Sequence, residues 1–170
     1  HKVKPSIDES IYFPVPKSSD RDSFNILAMI RPSTPRRNAA HTMNLLSRLK
    51  KHFKSKVNIQ IFGCMNNDPD FQKLTTDFEF INHQILTRPE VACLTAQSDL
   101  FIDLSTYQAF GRTGLEAMAS GCISILPKTG GADEYIQDGI NSFMADYLDN
   151  GQQIVDIVDR LINDYGYLIR

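Results

Sequence analysis

Five short stretches of strand length carry much of the chain's apolar density: FNILAMI (24–30), VNIQIFG (57–63), FEFINHQI (78–85), LFIDLS (100–105) and CISILP (122–127). The third is the more alternating; the first is a nearly unbroken apolar run. A strand that is apolar on both faces must be covered on both, the condition met in parallel sheets flanked by helices. The segments between supply those helices. Asn38 is placed to cap one whose apolar positions Ala39, Met43, Leu46, Leu49 and Phe53 keep helical spacing. Pro89 opens a short helix through about Gln97, residues 112–120 form another, and the last runs from about Gly151 to the end, with Ile154, Val158, Leu161, Ile162 and Tyr165 on one face. This order predicts a doubly wound α/β fold, a Rossmann-like parallel sheet with helices on both faces.

Residues 1–23 are polar and rich in proline, with one apolar knot at Ile11, Tyr12 and Phe13. They read as a linker and anchoring segment before a domain spanning 24–170. The opening HKVKPSIDES lacks an initiator Met, so the chain is expected to be the interior of a longer protein.

Charge excludes some partners. With 18 Lys plus Arg against 20 Asp plus Glu, no net field draws the chain to nucleic acid. No apolar run is long enough to span a bilayer and no signal-peptide pattern opens the chain, so direct membrane contact by this domain is not expected. Cys64, Cys93 and Cys122 are widely spaced and match neither a metal-ligand pattern nor a disulfide framework. They read as buried small hydrophobes in a reducing compartment.

In open α/β sheets ligands bind beyond the carboxyl ends of the strands. The loop RPSTPRR leaves the first strand there, with Arg31, Arg36 and Arg37 held by two prolines. Guanidinium groups present planar forks of donors suited to phosphate. A solvated basic loop is the plain alternative, and the placement favours the anion site. After the fourth strand comes YQAFGRTGLEAMASG (107–121), where Gly111 and Gly114 flank Arg112 and Thr113 at a helix start. Unpaired N–H groups and the positive end of the helix dipole make such a start an anion site. Glu116 reads equally as a carboxylate complementing that dipole or as an acceptor for sugar hydroxyls. Gly121 is expected to end the helix. KTGGADE (128–134) adds glycines, a cation and carboxylates. His83 fits a polar structural role better than catalysis, and His41 and His52 look like surface positions.

The segment DLFIDLSTYQAFGRTGLEAMASGCISILPKTGGADEYIQDGINSFM, together with SIDESIYFP and RPSTPRR, resembles the carboxyl-terminal half of a GT-B glycosyltransferase. The closest similarity is to the large retaining group 1 family that includes glycogen synthases, sucrose synthases and many bacterial polysaccharide transferases. The RPSTPRRN loop resembles its rhamnosyltransferase branch. The resemblance implies a donor-binding domain that takes a nucleotide-diphosphate sugar, partnered by an amino-terminal acceptor domain of the same protein and acting on a glycan or lipid-linked acceptor in surface polysaccharide synthesis. It implies a cytoplasmic location, peripheral to the inner membrane face through the other domain. It also implies an isolated domain without transferase activity. No cofactor is expected, and no metal, if Arg31, Arg36 and the helix start at 112–115 supply the positive charge that the departing phosphate needs.

Carried onto this sequence, the resemblance places Arg31 and Arg36 at the donor diphosphate, with Arg37 as a substitute. Phosphates fall on the segment Phe110, Gly111, Arg112, Thr113, Gly114 and Leu115, the ribose on Glu116, and the base against His83, Gln84, Ile85 and Leu86. Where relatives keep a glutamate facing the donor sugar, this chain has Gln108, whose amide hydrogen-bonds hydroxyls but carries no charge. Two other readings remain at this point: a nucleotide-sugar epimerase half-domain of the same architecture, and a flavodoxin-like signalling module with Asp103 as phosphoacceptor. Arg31-Pro32 stands where a receiver of the latter kind needs acidic residues, which argues against it.

Overall fold

The first apolar run becomes the middle of the sheet. In the computed structural model, which describes residues 6–17, 23–146 and 150–164, β1 (Phe24–Met29) pairs in parallel with β2 (Val57–Phe62) on one side and β4 (Leu100–Ile102) on the other. The full order is β3-β2-β1-β4-β5-β6, all parallel, with β3 at Ile81–Asn82, β5 at Ile123–Pro127 and β6 at Phe143–Ala145. The helices are α1 (Ala39–Phe53), α2 (Arg88–Gln97), α3 (Arg112–Ala119) and α4 (Gln152–Asn163). The order reverses between β1 and β4, which makes their exits the topological switch point.

Side-chain alternation splits the core in two. Ile26, Ala28, Leu100, Ile102 and Ile125 face Met43, Leu46 and Leu49 of α1 and Ile154, Val158 and Leu161 of α4. Leu27, Phe101 and Leu126 point the other way, onto Leu94 of α2 and Ala117 of α3. Strands buried on both faces explain their unbroken apolar runs. Ile162 packs at the margin of the first core, and Tyr165 lies outside the described residues.

Several expectations need correction. The third strand is two residues, not eight, because only β2 pairs with it. Phe78 and Phe80 instead pack against the core from an irregular approach. The fourth strand ends at Ile102, where Asp103 turns its carboxylate back onto the Ser105 N–H at 2.9 Å. β6 was not anticipated; it follows the turn in DGIN and is too short to show a period. Asn38 occupies the cap position of α1 but with φ of 51°, and its amide donates to the Leu104 carbonyl at 3.2 Å instead of capping. At α2 it is Thr87 that begins the helix, its N–H donating to Glu90 at 2.7 Å in the reciprocal Thr-x-x-Glu arrangement.

The cysteines also divide. Cys64 and Cys122 are buried, as expected, but Cys93 is exposed on α2. Burial pushes the Cys64 thiol up to about 11 and the Cys122 thiol up to about 12. Since the thiolate is the reactive form, iodoacetamide at pH 8 is expected to label Cys93 alone in the folded chain and all three in denaturant, as read by intact mass. Rapid labelling of Cys64 or Cys122 without denaturant would contradict this packing.

Candidate functional site

The carboxyl ends of β1 and β2, the loop after Asn82 and the start of α3 surround a cavity of 400 Å³. Arg31, Pro32, Ser33 and Thr34 form its wall at the exit of β1, and Phe62 and Gly63 contribute from β2. Ile85 and Leu86 enter from the loop after β3, and Thr113 and Glu116 from α3. Of the residues singled out from the sequence, Arg31, Ile85, Leu86, Thr113 and Glu116 therefore share one cavity.

α3 can approach so closely because of Gly114. A Cβ there would lie 2.4 and 2.5 Å from the two methyls of Leu126, so the helix start rests directly on β5. The first helical N–H groups, those of Arg112, Thr113 and Gly114, have no partner one turn earlier. Leu115 is already within the ladder, its N–H donating to Gly111 O at 3.1 Å. Glu116 is 8% exposed, and its Oε1 accepts from Arg112 Nε at 3.0 Å. Gly111 O is held by the Tyr135 hydroxyl at 2.8 Å, and Phe110 packs against the Tyr135 ring with centroids 5.2 Å apart. Burial pushes the Tyr135 phenol well up, which keeps it a neutral donor at this junction.

The other candidates stand elsewhere. Arg36 is exposed and is not among the residues lining the cavity, and its carbonyl accepts from Thr106 N at 2.9 Å. Arg37 turns inward to Asp103, 3.2 Å away, and burial lowers its guanidinium below the ordinary arginine value while Asp103 acts in the opposite sense. Gln108 is 5% exposed and donates to Asp103 Oδ2 at 2.6 Å and Ser105 Oγ at 3.0 Å. His83 continues the edge ladder, its N–H donating to Ile61 O at 2.9 Å and its Nε2 lying 2.7 Å from Gln60 Oε1. Gln84, with φ of 60°, accepts from Gly63 N at 2.7 Å through its carbonyl and so shapes the cavity floor through backbone. Asp103 is buried with both oxygens engaged, which leaves it unavailable as the phosphoacceptor of a signalling module.

Tyr12, Asp68 and Arg88 are among the lining residues to which the sequence assigned no role at the site. Tyr12, from the segment before β1, is 3% exposed, and Arg88 lies over its ring at 5.9 Å. Burial pushes the Tyr12 phenol up, with Arg88 countering and Glu116 reinforcing the shift. The knot at 11–13 was recognised as an anchor, but nothing local tied it to Glu116. Among the described residues no three His, Cys, Asp or Glu side chains gather as a metal site, and no helix is long and apolar enough to cross a membrane.

Known proteins match this sequence and its fold. The family described as glycosyl transferases group 1 matches residues 15–168. An α-1,6-glucosyltransferase of Actinobacillus pleuropneumoniae is 32% identical over 90 residues, covering 49% of this chain and 27% of that protein. The matched stretches cover about a quarter of the length of the curated relatives to which they align. Among solved structures, the carboxyl-terminal domain of a group 1 glycosyl transferase, LpcC from Francisella tularensis, superposes with a TM-score of 0.74 at 22% identity, covering 95% of this chain and 90% of that one. HepE from Anabaena, solved with UDP and glucose, gives 0.71 at 19% identity, with 95% of this chain covered and 47% of the other. A match across nearly the whole chain, on a sheet of the same architecture, means that this chain belongs to the group 1 glycosyl transferase family.

Proposed function

We propose that this chain is the donor-binding domain of a glycosyltransferase that moves a sugar from a nucleotide-diphosphate donor to a glycan or lipid-linked acceptor, in the cytoplasm, during surface polysaccharide synthesis. The observation that carries the reading is the convergence of Arg31, Thr113, Glu116 and Ile85 on one cavity at the switch point of the sheet. Each matches a part of such a donor. Arg31 faces the diphosphate together with the first N–H groups of α3, and Arg36, exposed on the same loop, adds positive charge. The buried carboxylate of Glu116 accepts from ribose hydroxyls, and Ile85 with Leu86 offers an apolar rest for the base.

The chemistry follows from charge. As the bond between sugar and diphosphate loosens, negative charge grows on the departing phosphate oxygen. Fixed guanidinium groups and an oriented helix start stabilise that charge with little reorganisation. This arrangement supplies the countercharge from the chain itself, so the reading calls on no metal or cofactor. Acceptor binding falls to an amino-terminal domain of the same protein, facing the same crevice, and the isolated chain is expected to bind donor without transferring sugar. Names of relatives support the class of reaction, since a glucosyltransferase and a GDP-mannose-dependent mannosyltransferase both match.

Isothermal titration of the chain with UDP, GDP, ADP and dTDP is the direct test. At least one is expected to bind, with the heat lost in the Glu116→Ala variant. Four flat titrations of a folded chain would remove the proposal.

A further inference from the structure

We infer that Asp103 is a positioning residue that locks the two donor-site loops together and makes an amide, not a carboxylate, the required group at position 108; the inference rests on the donor-site reading above. Asp103 leaves the end of β4 and is 7% exposed. Its Oδ1 accepts from the N–H and the hydroxyl of Ser105. Its Oδ2 accepts from Arg37 Nη1 at 3.2 Å and from Gln108 Nε2 at 2.6 Å. A carboxylate offers about four lone-pair sites, so donors occupy all of them. A second carboxylate here has nothing to give.

The same junction fixes the basic loop. Arg37 reaches Asp103, the Arg36 carbonyl accepts from Thr106 N at 2.9 Å, and Asn38 Nδ2 donates to Leu104 O at 3.2 Å. Three consecutive residues are thereby tied to the exit of β4. With Arg37 drawn inward, the Arg36 side chain is left on the outside. Gln108 carries the lock one loop further, because its N–H donates to Thr129 O at 3.3 Å and its carbonyl accepts from Gly131 N at 3.0 Å. The acidic charge that the resemblance leads one to expect at 108 stands instead at 103. The side chain at 108 has become its donor.

A glutamate at 108 sets two carboxylates against each other in a nearly closed space and competes with Asp103 for Arg37. Restoring the apparent family residue is therefore expected to harm the site. The test uses the full chain in four forms besides the native one: Gln108→Glu, Gln108→Met, Asp103→Asn, and the double variant Asp103→Asn with Gln108→Glu. Each is melted without ligand and then titrated with UDP, GDP, ADP and dTDP. Gln108→Glu is expected to melt lower and bind at least tenfold more weakly. Gln108→Met, which keeps volume without a donor, is expected to lose a few-fold in affinity. Asp103→Asn alone sets two amides together and gives up the partner of Arg37, so it is expected to melt lower and bind more weakly as well. The double variant exchanges the two groups, so that an amide at position 103 donates to a carboxylate at position 108, and it is expected to recover most of the losses of Gln108→Glu. The inference is overturned if Gln108→Glu or Gln108→Met binds as well as the native chain, or if the double variant is no better than Gln108→Glu. It is also overturned if melting recovers while affinity never changed, because the pair would then be structural only. A native chain that binds none of the four nucleotides removes the donor-site reading itself, and the ligand-free melting then decides the coupling of Asp103 and Gln108.

Discussion

Gly130→Ala is expected to be the most damaging single methyl in the molecule. The residue has φ of +128°, a region that side chains rarely adopt, and an added Cβ would lie 1.8 Å from the carbonyl oxygen of Gln108 and 2.8 Å from its carbonyl carbon. These are backbone atoms, so no rotamer change relieves the clash. The loop must separate, and with it the bridge between Gln108 and Gly130. Backbone strain of this kind costs about 1–3 kcal/mol by itself, before the displaced contacts are counted. A total of about 4 kcal/mol corresponds to a fall in Tm on the order of 10 °C for a chain of this size. Thermal unfolding followed by circular dichroism measures it. A Tm within about 3 °C of native, under 1 kcal/mol or so on the same scale, would mean that the two loops are not held as closely as described.

Arg31→Ala is expected to act on binding and hardly on stability. Its side chain is exposed at the rim of the cavity, so truncation removes little packing. If Arg31 faces the donor diphosphate, the loss is a charge-assisted hydrogen bond worth roughly 1.5–3 kcal/mol. That corresponds to about a 10- to 150-fold rise in Kd for the nucleoside diphosphate. Binding to the variant should also depend less steeply on salt, because one fewer cation is screened. Titration at two ionic strengths, with the melting curve as a control for folding, gives the result. An affinity within twofold of native would place the diphosphate elsewhere.

The sequence was most informative where burial is complete. β1 and β5 lie largely covered on both faces, and their apolar runs announced them within a residue. β2 was legible from its buried Val57, Ile59 and Ile61 alternating with half-buried Asn58 and Gln60. α1 was legible because its buried face repeats for fifteen residues. β3 and β6 are two and three residues at the outer positions of the sheet, and their pairing is decided by neighbours rather than by pattern. The cavity was half legible for a similar reason. Arg31, Thr113 and Glu116 sit at exits that any α/β sheet must have, so their neighbourhood followed from topology. Tyr12 and Arg88 meet across 75 intervening residues, and only the packing of the segment before β1 onto α2 brings them together. Asp103 was noticed for its place near a strand end. That its four acceptor positions would face Arg37, Ser105 and Gln108 depends on the inward turn of two loops, which no local spacing encodes.

The position of β1 has one more consequence. Ile26 pairs with Ile59 on one side and with Leu100 on the other. The first of these pairings needs only the segment through α1 and β2, whereas the second must close a loop more than twice as long. Until β4 docks, the strand at the middle of the finished sheet is an open edge, with unpaired N–H and C=O groups beside an apolar face. Such an edge is a template for other chains, and parallel pairings of this range form slowly. The central strand of the finished sheet is thus the most adhesive surface of the half-built one.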